Sequence, residues 1–207
     1  MANRTLTTPK GSANWVKVFQ PDTKYNSEGI YSMKLAVRED LAEDTCNELD
    51  ALTDAIYAKS IKDNPKLKDK LTKRTPYERV LDDEGNETGE IEFYFKTRAI
   101  ITAKDGATYT NKVAVFDSKA TPITEEVRIG NGSTMKVTFE PISYMMQSTK
   151  QASVSLRLKS TQLIDLVEYG SANPFGEEEG YTFEPTPEII NDEKESSGDS
   201  TEEDEDF

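Results

Sequence analysis

The chain has 207 residues, of which 39 are Asp or Glu and 25 Lys or Arg, giving a net charge of −14 with no histidine and one cysteine. Cys46 therefore has no partner for an intramolecular disulfide, and a Cys/His zinc site or a His-based triad is excluded. No apolar run exceeds four residues, against the ~20 a membrane-spanning helix needs, and the N-terminal stretch lacks the apolar centre of a secretion signal. The expectation is a cytoplasmic protein with no membrane association.

Residues 15–20 alternate with period two, Val16 and Val18 against Trp15, Lys17 and Phe19. Residues 30–37 repeat the pattern, with Tyr31, Met33, Leu35 and Val37 on one face and Ser32, Lys34 and Ala36 on the other. From residue 40 to about 74 the period changes. Leu41, Thr45, Leu49, Leu52 and Ile56 recur at helical spacing, Asp40 with Glu43 has the form of a capping box, and Lys59 and Lys62 suit a helix C-terminus. Asn64-Pro65 opens a second, shorter helical piece carrying Lys66, Lys68, Lys70, Lys73 and Arg74. Strand patterns return at 91–104, 112–117, 134–140 and 153–159, with turn signals at Asp105-Gly106 and at Gly130-Asn131-Gly132-Ser133. The acidic stretch 82–90 reads as a hairpin loop, and Pro141 should end or bulge the strand that carries Phe139. About six short strands and one helical insert predict a mainly β fold, a small barrel or a sandwich.

The charge is unevenly divided. Residues 171–207 hold 14 acids and one base, Lys194, which leaves 25 acids and 24 bases in residues 1–170, a net of −1. Such a tail buries too little apolar surface to offset its ordering entropy, so the expected organisation is one domain over 1–170 and a disordered acidic tail over 171–207. The tail ends in Glu202, Glu203, Asp204, Glu205, Asp206 and Phe207. Acidic charge steers, and a terminal ring with its α-carboxylate fits a pocket, so these residues are a candidate ligand for a protein partner.

With alternate positions assigned to the core, the other face of each strand becomes informative. It carries Trp15, Lys17, Lys34, Tyr94, Lys96, Arg98, Lys112, Arg157 and Lys159. Bases interleaved with aromatics suit single-stranded nucleic acid, in which every nucleotide offers a phosphate to neutralise and a base to stack. The alternative for Trp15, Phe19 and Phe116 is core, in a sandwich buried on both sides. The Lys66–Arg74 run is a solvated helix face or part of a phosphate track. Enzymatic readings find no Walker lysine loop, no calcium loop of the EF-hand kind and no nucleophile with a nearby base. A binding protein without cofactor or catalytic metal is the expectation.

Residues 112–169 contain Val-Phe-Asp117-Ser118-Lys119, Ile129-Gly-Asn131-Gly132-Ser133 and Val154-Ser-Leu-Arg157-Leu-Lys159-Ser-Thr-Gln162-Leu-Ile. With the acidic tail ending in Asp206-Phe207, this framework resembles phage-encoded single-stranded DNA-binding proteins. The resemblance implies an oligonucleotide-binding fold, a five-stranded barrel with a helical insertion. It also implies sequence-independent binding of single-stranded DNA in replication, recombination and repair, in the host cytoplasm. The tail is then expected to compete for the DNA groove and to recruit a polymerase, helicase or primase, and the protein to self-associate. The reading left open beside it is an acidic interaction protein, a DNA mimic or a chaperone of basic partners, whose body has no DNA groove.

Overall fold

The computed structural model describes residues 4–103 and 106–168. The tail, with Glu202 to Phe207, lies outside the described residues. Five strands form the frame: β2 (Gly11–Asp22), β3 (Ile30–Arg38), β6 (Glu87–Arg98), β10 (Ser133–Met146) and β11 (Gln151–Asp165). Smaller strands are β1 (Leu6–Thr7), β4 (Thr72–Lys73), β5 (Tyr77–Leu81), β7 (Ile100–Thr102), β8 (Thr108–Thr110) and β9 (Ala114–Phe116). The frame closes on itself in the order β10-β2-β3-β6-β11-β10. All pairings in the ring are antiparallel except β6 with β11, which run parallel. This is the five-stranded oligonucleotide-binding barrel, with its helix inserted between β3 and β6.

The ring is uneven. β10 and β11 pair along almost their whole lengths, whereas β2 meets β10 only over Gly11–Ala13 and β6 meets β11 only at Phe95–Lys96. Both seams are filled by other chain. Thr8 seals β10 beyond β2, donating its amide to the Val137 carbonyl and accepting the Val137 amide on its hydroxyl. The segment through Arg74 and Tyr77 occupies the gap between β6 and β11, with β4 on β11 and β5 on β6.

Alternation sets inside against outside. Met33, Leu35, Phe93, Phe95, Val137, Phe139, Leu156 and Leu158 are all buried in one cluster. Tyr77, Phe93, Phe95 and Phe139 run through it as a chain of rings, with successive centroids 6.0, 6.2 and 5.1 Å apart. Each is a tilted contact of the kind aromatic pairs prefer.

Helix α1 (Glu39–Asp63) follows β3 directly, and its start corrects the predicted cap. Arg38 is the N-cap and makes no side-chain cap bond, because β3 runs straight into the first turn; the Asp40 carboxylate instead accepts from the Arg38 guanidinium. Leu49, Leu52 and Ile56 of the predicted stripe do face inward, but its first turn is corrected. Ala42, Leu49, Thr53 and Ser60 are buried while Leu41 is exposed, since small residues let the helix approach the strands closely. The second helical piece is only a 3₁₀ turn, Pro65–Leu67, and Thr72–Lys73 is strand. The expected strand over 91–104 is β6 followed by a separate hairpin of β7 and β8. Pro141 does not end β10: it faces Leu156 in register, and the irregularities lie between Thr134 and Met135 and between Thr138 and Phe139.

Cys46 lies on α1 near Tyr77 and Asp50. Burial and the Asp50 carboxylate push its thiol up to about 11, and burial with the Tyr77–Asp50 hydrogen bond of 2.8 Å also raises the Tyr77 hydroxyl.

Gly11 marks a close crossing of β2 over β3. A Cβ there would lie 2.3 Å from the Ala36 carbonyl oxygen and 2.8 Å from the Val37 side chain. Gly11→Ala is expected to lower stability by about 1–3 kcal/mol, the usual cost of overpacking, read as a lower urea midpoint at unchanged slope. An unchanged midpoint would show that β2 can move off β3.

Candidate nucleic-acid interface

Strand register brings the outward residues together. Lys17 on β2 faces Ser32 on β3, Ser32 faces Lys96 on β6, Lys96 lies beside Arg157 on β11, and Arg157 faces Glu140 on β10. At ~4.8 Å per strand this row carries charge over roughly 14 Å from Lys17 to Arg157. Adjacent rows add Asn14–Lys34–Tyr94 on one side and Ile30–Arg98 on the other. Tyr94 is 47% exposed, and the Lys96 ammonium lies 5.8 Å from its ring centre.

The bases of this face are held in two ways. Lys34 is paired with Glu92 at 2.6 Å and Arg157 with Glu140 at 3.5 Å. Among the described residues Lys17, Lys96, Arg98, Lys112 and Lys159 make no ion pair. Glu140 is 5% exposed, and its Oε1 has no hydrogen-bond partner among the described residues. The carboxylate therefore anchors Arg157 from beneath while the guanidinium stays half-exposed. Lys96 and Arg157 lie side by side, Arg157 partly offset by Glu140 and Lys96 making no ion pair among the described residues.

A cleft of about 260 Å³ opens beside this row, where β6 and β11 part. It is lined by Lys34, Tyr94, Lys96, Arg74 and Tyr144, among others. Arg74 and Tyr144 escape sequence parity because nothing local says that the chain after α1 returns to fill this seam. The Arg74 carbonyl accepts the Ser153 hydroxyl at 2.8 Å, which fixes the segment to β11.

Trp15 is 69% exposed and so is not core, and it reaches the surface through a bulge rather than by simple alternation. Asn14 pairs with Lys34 and Lys17 with Ser32, leaving an extra residue on β2. Trp15 takes the left-handed conformation there, φ 53°, and donates its amide to the Asn131 side chain at 2.9 Å. A bulky residue in that region costs about 1–3 kcal/mol and is kept where the surroundings over-determine it, commonly at ligand sites. Trp15 and Lys17 line a second groove of about 660 Å³ with Phe19, Lys24 and Arg128. Phe19, expected to face away or to be core, is half-buried against the core, as is Val16. Lys112 is exposed between β8 and β9, and Lys159 is the unpaired residue of the β11 bulge.

The sequence framework of residues 112–169 is mostly scaffold. Asp117 accepts the amides of Lys119 and Thr121, both at 2.8 Å, and these hydrogen bonds hold its carboxyl below the usual range. The Gln162 side chain donates to the carbonyls of Asp117 and Ser118, tying that turn to β11. Asn131 holds Trp15, and the buried Ser133 hydroxyl donates to the Gly130 carbonyl.

Another cleft, about 800 Å³ between α1 and β5, is lined by Glu39, Asp40, Glu43, Asp50 and Glu78 with Arg79, a surplus of carboxylates that disfavours phosphate. Among the described residues no cluster of His, Cys, Asp and Glu is arranged to hold a metal ion, and no helix is long and apolar enough to cross a membrane.

In sequence and in fold the chain is similar to single-stranded DNA-binding proteins of phages. The chain is 29% identical over 163 residues to the single-stranded DNA-binding protein of Enterobacteria phage T3, covering 74% of this chain and 68% of that one. It is 26% identical over 186 residues to the single-stranded DNA-binding protein of Escherichia phage T7, covering 82% and 79%. In fold it is similar to the crystal structure of gp2.5, a single-stranded DNA-binding protein encoded by bacteriophage T7, with a TM-score of 0.71 at 24% identity over 88% of this chain and 100% of that one. A more distant likeness, TM-score 0.52 at 12% identity over 79% and 88%, is to the single-stranded DNA-binding protein of bacteriophage Enc34 in complex with ssDNA. The family model described as "Single-stranded DNA-binding protein, Bacteriophage T7" matches residues 11–166, the whole ring from Gly11 to Asp165, and the chain belongs to that family.

Proposed function

We propose that this protein binds single-stranded DNA without regard to sequence, laying it across the outer face of β3, β6 and β11, and serves phage DNA replication and recombination in the host cytoplasm without catalysing a reaction. The observation that carries the reading is the register row Lys17–Ser32–Lys96–Arg157 with Tyr94 beside it. Phosphates would sit over the unpaired Lys96 and the half-exposed Arg157, while Tyr94 and Trp15 offer flat surfaces to bases. Neither interaction reads base identity, since every nucleotide has a phosphate and every base a π-face. A duplex hides its base faces and would gain only the electrostatic part.

The acidic tail completes the proposal. Its net charge of −13, against −1 in residues 1–170, supports a competitor that visits the same cations when DNA is absent. A tethered segment acts at roughly millimolar effective concentration on its own body. DNA displaces it, which frees Glu202 to Phe207 for a replication protein or for a second copy of the chain.

Titration with oligo(dT) tests the groove. Trp15 is the only tryptophan, so its emission should be quenched as bases stack; binding seen by anisotropy with unchanged emission would remove Trp15 from the interface.

Lys96→Glu should weaken oligo(dT) and mixed-sequence strands by the same factor. It should also lower the slope of log affinity against log salt by about 0.7 for each phosphate that is no longer neutralised. A weakening confined to one sequence, or none, would contradict the row.

Removing residues 171–207 should tighten DNA binding at low salt, with the gain shrinking as salt screens the tail. Removing Phe207 alone should leave DNA affinity unchanged and abolish the partner. A truncated chain that binds no tighter at low salt would exclude competition, and one that binds no single-stranded DNA at any salt would exclude the groove.

A further inference from the structure

Beyond Arg98 the barrel face continues into two loops that are joined at their bases. Ala99 donates its amide to the Gly29 carbonyl at 3.0 Å, and Asn111 donates its amide back to the Ala99 carbonyl at 2.7 Å. The Asn111 side chain also donates to the Thr97 hydroxyl and the Arg98 carbonyl. The β7–β8 hairpin thus springs from the end of β6, clamped to the turn between β2 and β3. Gly29 has no room for a side chain: with φ 76°, a Cβ would lie 2.9 Å from Pro21.

Both loops present rings to solvent. Tyr25, in the β2–β3 turn, is 89% exposed, and the Lys24 ammonium lies 5.3 Å from its ring centre. Tyr109 on β8 is 57% exposed and stands directly across the hairpin from Ile101, also exposed. Every strand residue of this hairpin is exposed, and none of its side chains belongs to the barrel core. Arg98 and Lys112 flank its two ends, and Lys24 lies in the adjoining turn. The nearby Asp22 carboxylate is engaged by the Lys24 amide at 2.8 Å, while Glu28 is exposed.

We propose that Tyr25 and Tyr109 form a second stacking station, which takes the bases of the same DNA strand after it passes Arg98. The inference rests on the reading that DNA lies over the β3–β6–β11 face, and its argument is continuity. The outward rows Lys34–Tyr94, Ser32–Lys96 and Ile30–Arg98 follow one another at ~6.7 Å steps along the strands, and the two clamped loops lie next on that line. Exposed rings bordered by cations suit bases bordered by phosphates.

The test is a length series of oligo(dT), from about 4 to about 16 nucleotides, against the intact chain and the double variant Tyr25→Ala/Tyr109→Ala. Short strands that span only the barrel face should bind both proteins equally. Long strands should bind the intact chain more tightly than short ones, and the double variant should lose roughly tenfold or more of that gain, as base–aromatic stacking implies. Tyr25→Phe/Tyr109→Phe should bind like the intact chain, because the ring and not the hydroxyl does the stacking. Equal affinity of the intact chain and the alanine variant for long strands would overturn the station while leaving the barrel groove standing. A variant that loses only self-association, with long-strand affinity unchanged, would overturn it in favour of an interface between copies. If the intact chain bound no strand of any length, the barrel groove itself would fall, and the station with it.

Discussion

A short parallel pairing, Phe95–Lys96 against Leu156–Arg157, closes the barrel. The four other pairings of the ring are antiparallel, and this one turns a curled sheet into a closed ring. Closure is what makes alternation meaningful, since it gives each strand one face toward Phe93, Phe95, Phe139 and Leu156 and one toward solvent. The same pairing sets Lys96 beside Arg157, so the event that seals the core also concentrates positive charge outside. It is only two residues long, and the β-sheet parts on one side of it to leave the cleft lined by Tyr94, Tyr144 and Arg74.

Net charge is a poor guide to this protein because the charges are sorted by element. Acids crowd α1 and the cleft it makes with β5, while the outer face of β3, β6 and β11 carries the exposed bases. Potential near a surface falls within about 8–10 Å at ordinary salt, so a local row of cations can attract a phosphate backbone from a body that is almost neutral. Glu92 and Glu140 moderate that row. By pairing with Lys34 and Arg157 they hold two cations in position at the cost of part of their charge.

Two of the three groups of framework residues that resemble phage proteins turn out to serve geometry. Asp117 with Gln162 fixes the turn after β9 to β11, and Asn131 holds the strained Trp15 backbone in its bulge. The third, on β11, splits by parity, with Val154, Leu156 and Leu158 inside and Arg157 and Lys159 outside. Most of the motif is thus a record of how the barrel and its turns are braced.

The class of the fold and the identity of most outward bases are legible in the sequence. Period-two alternation is local, and in β3, β6 and β11 it separates Met33, Phe95 and Leu156 from Lys34, Lys96 and Arg157 without knowledge of neighbours. Which of those bases meet is set only once the chain is folded. Register depends on bulges at Trp15 and Lys159, on closure of the ring and on the return of the chain through Arg74, none of which leaves a periodic trace. The buried face of α1 is legible in part: Leu49, Leu52 and Ile56 pack inward as their spacing predicts, while the small residues Ala42, Thr53 and Ser60 that share the face leave no apolar periodicity to read. Alternation assigns a side chain to a face, but only the paths of distant segments say what shares that face with it.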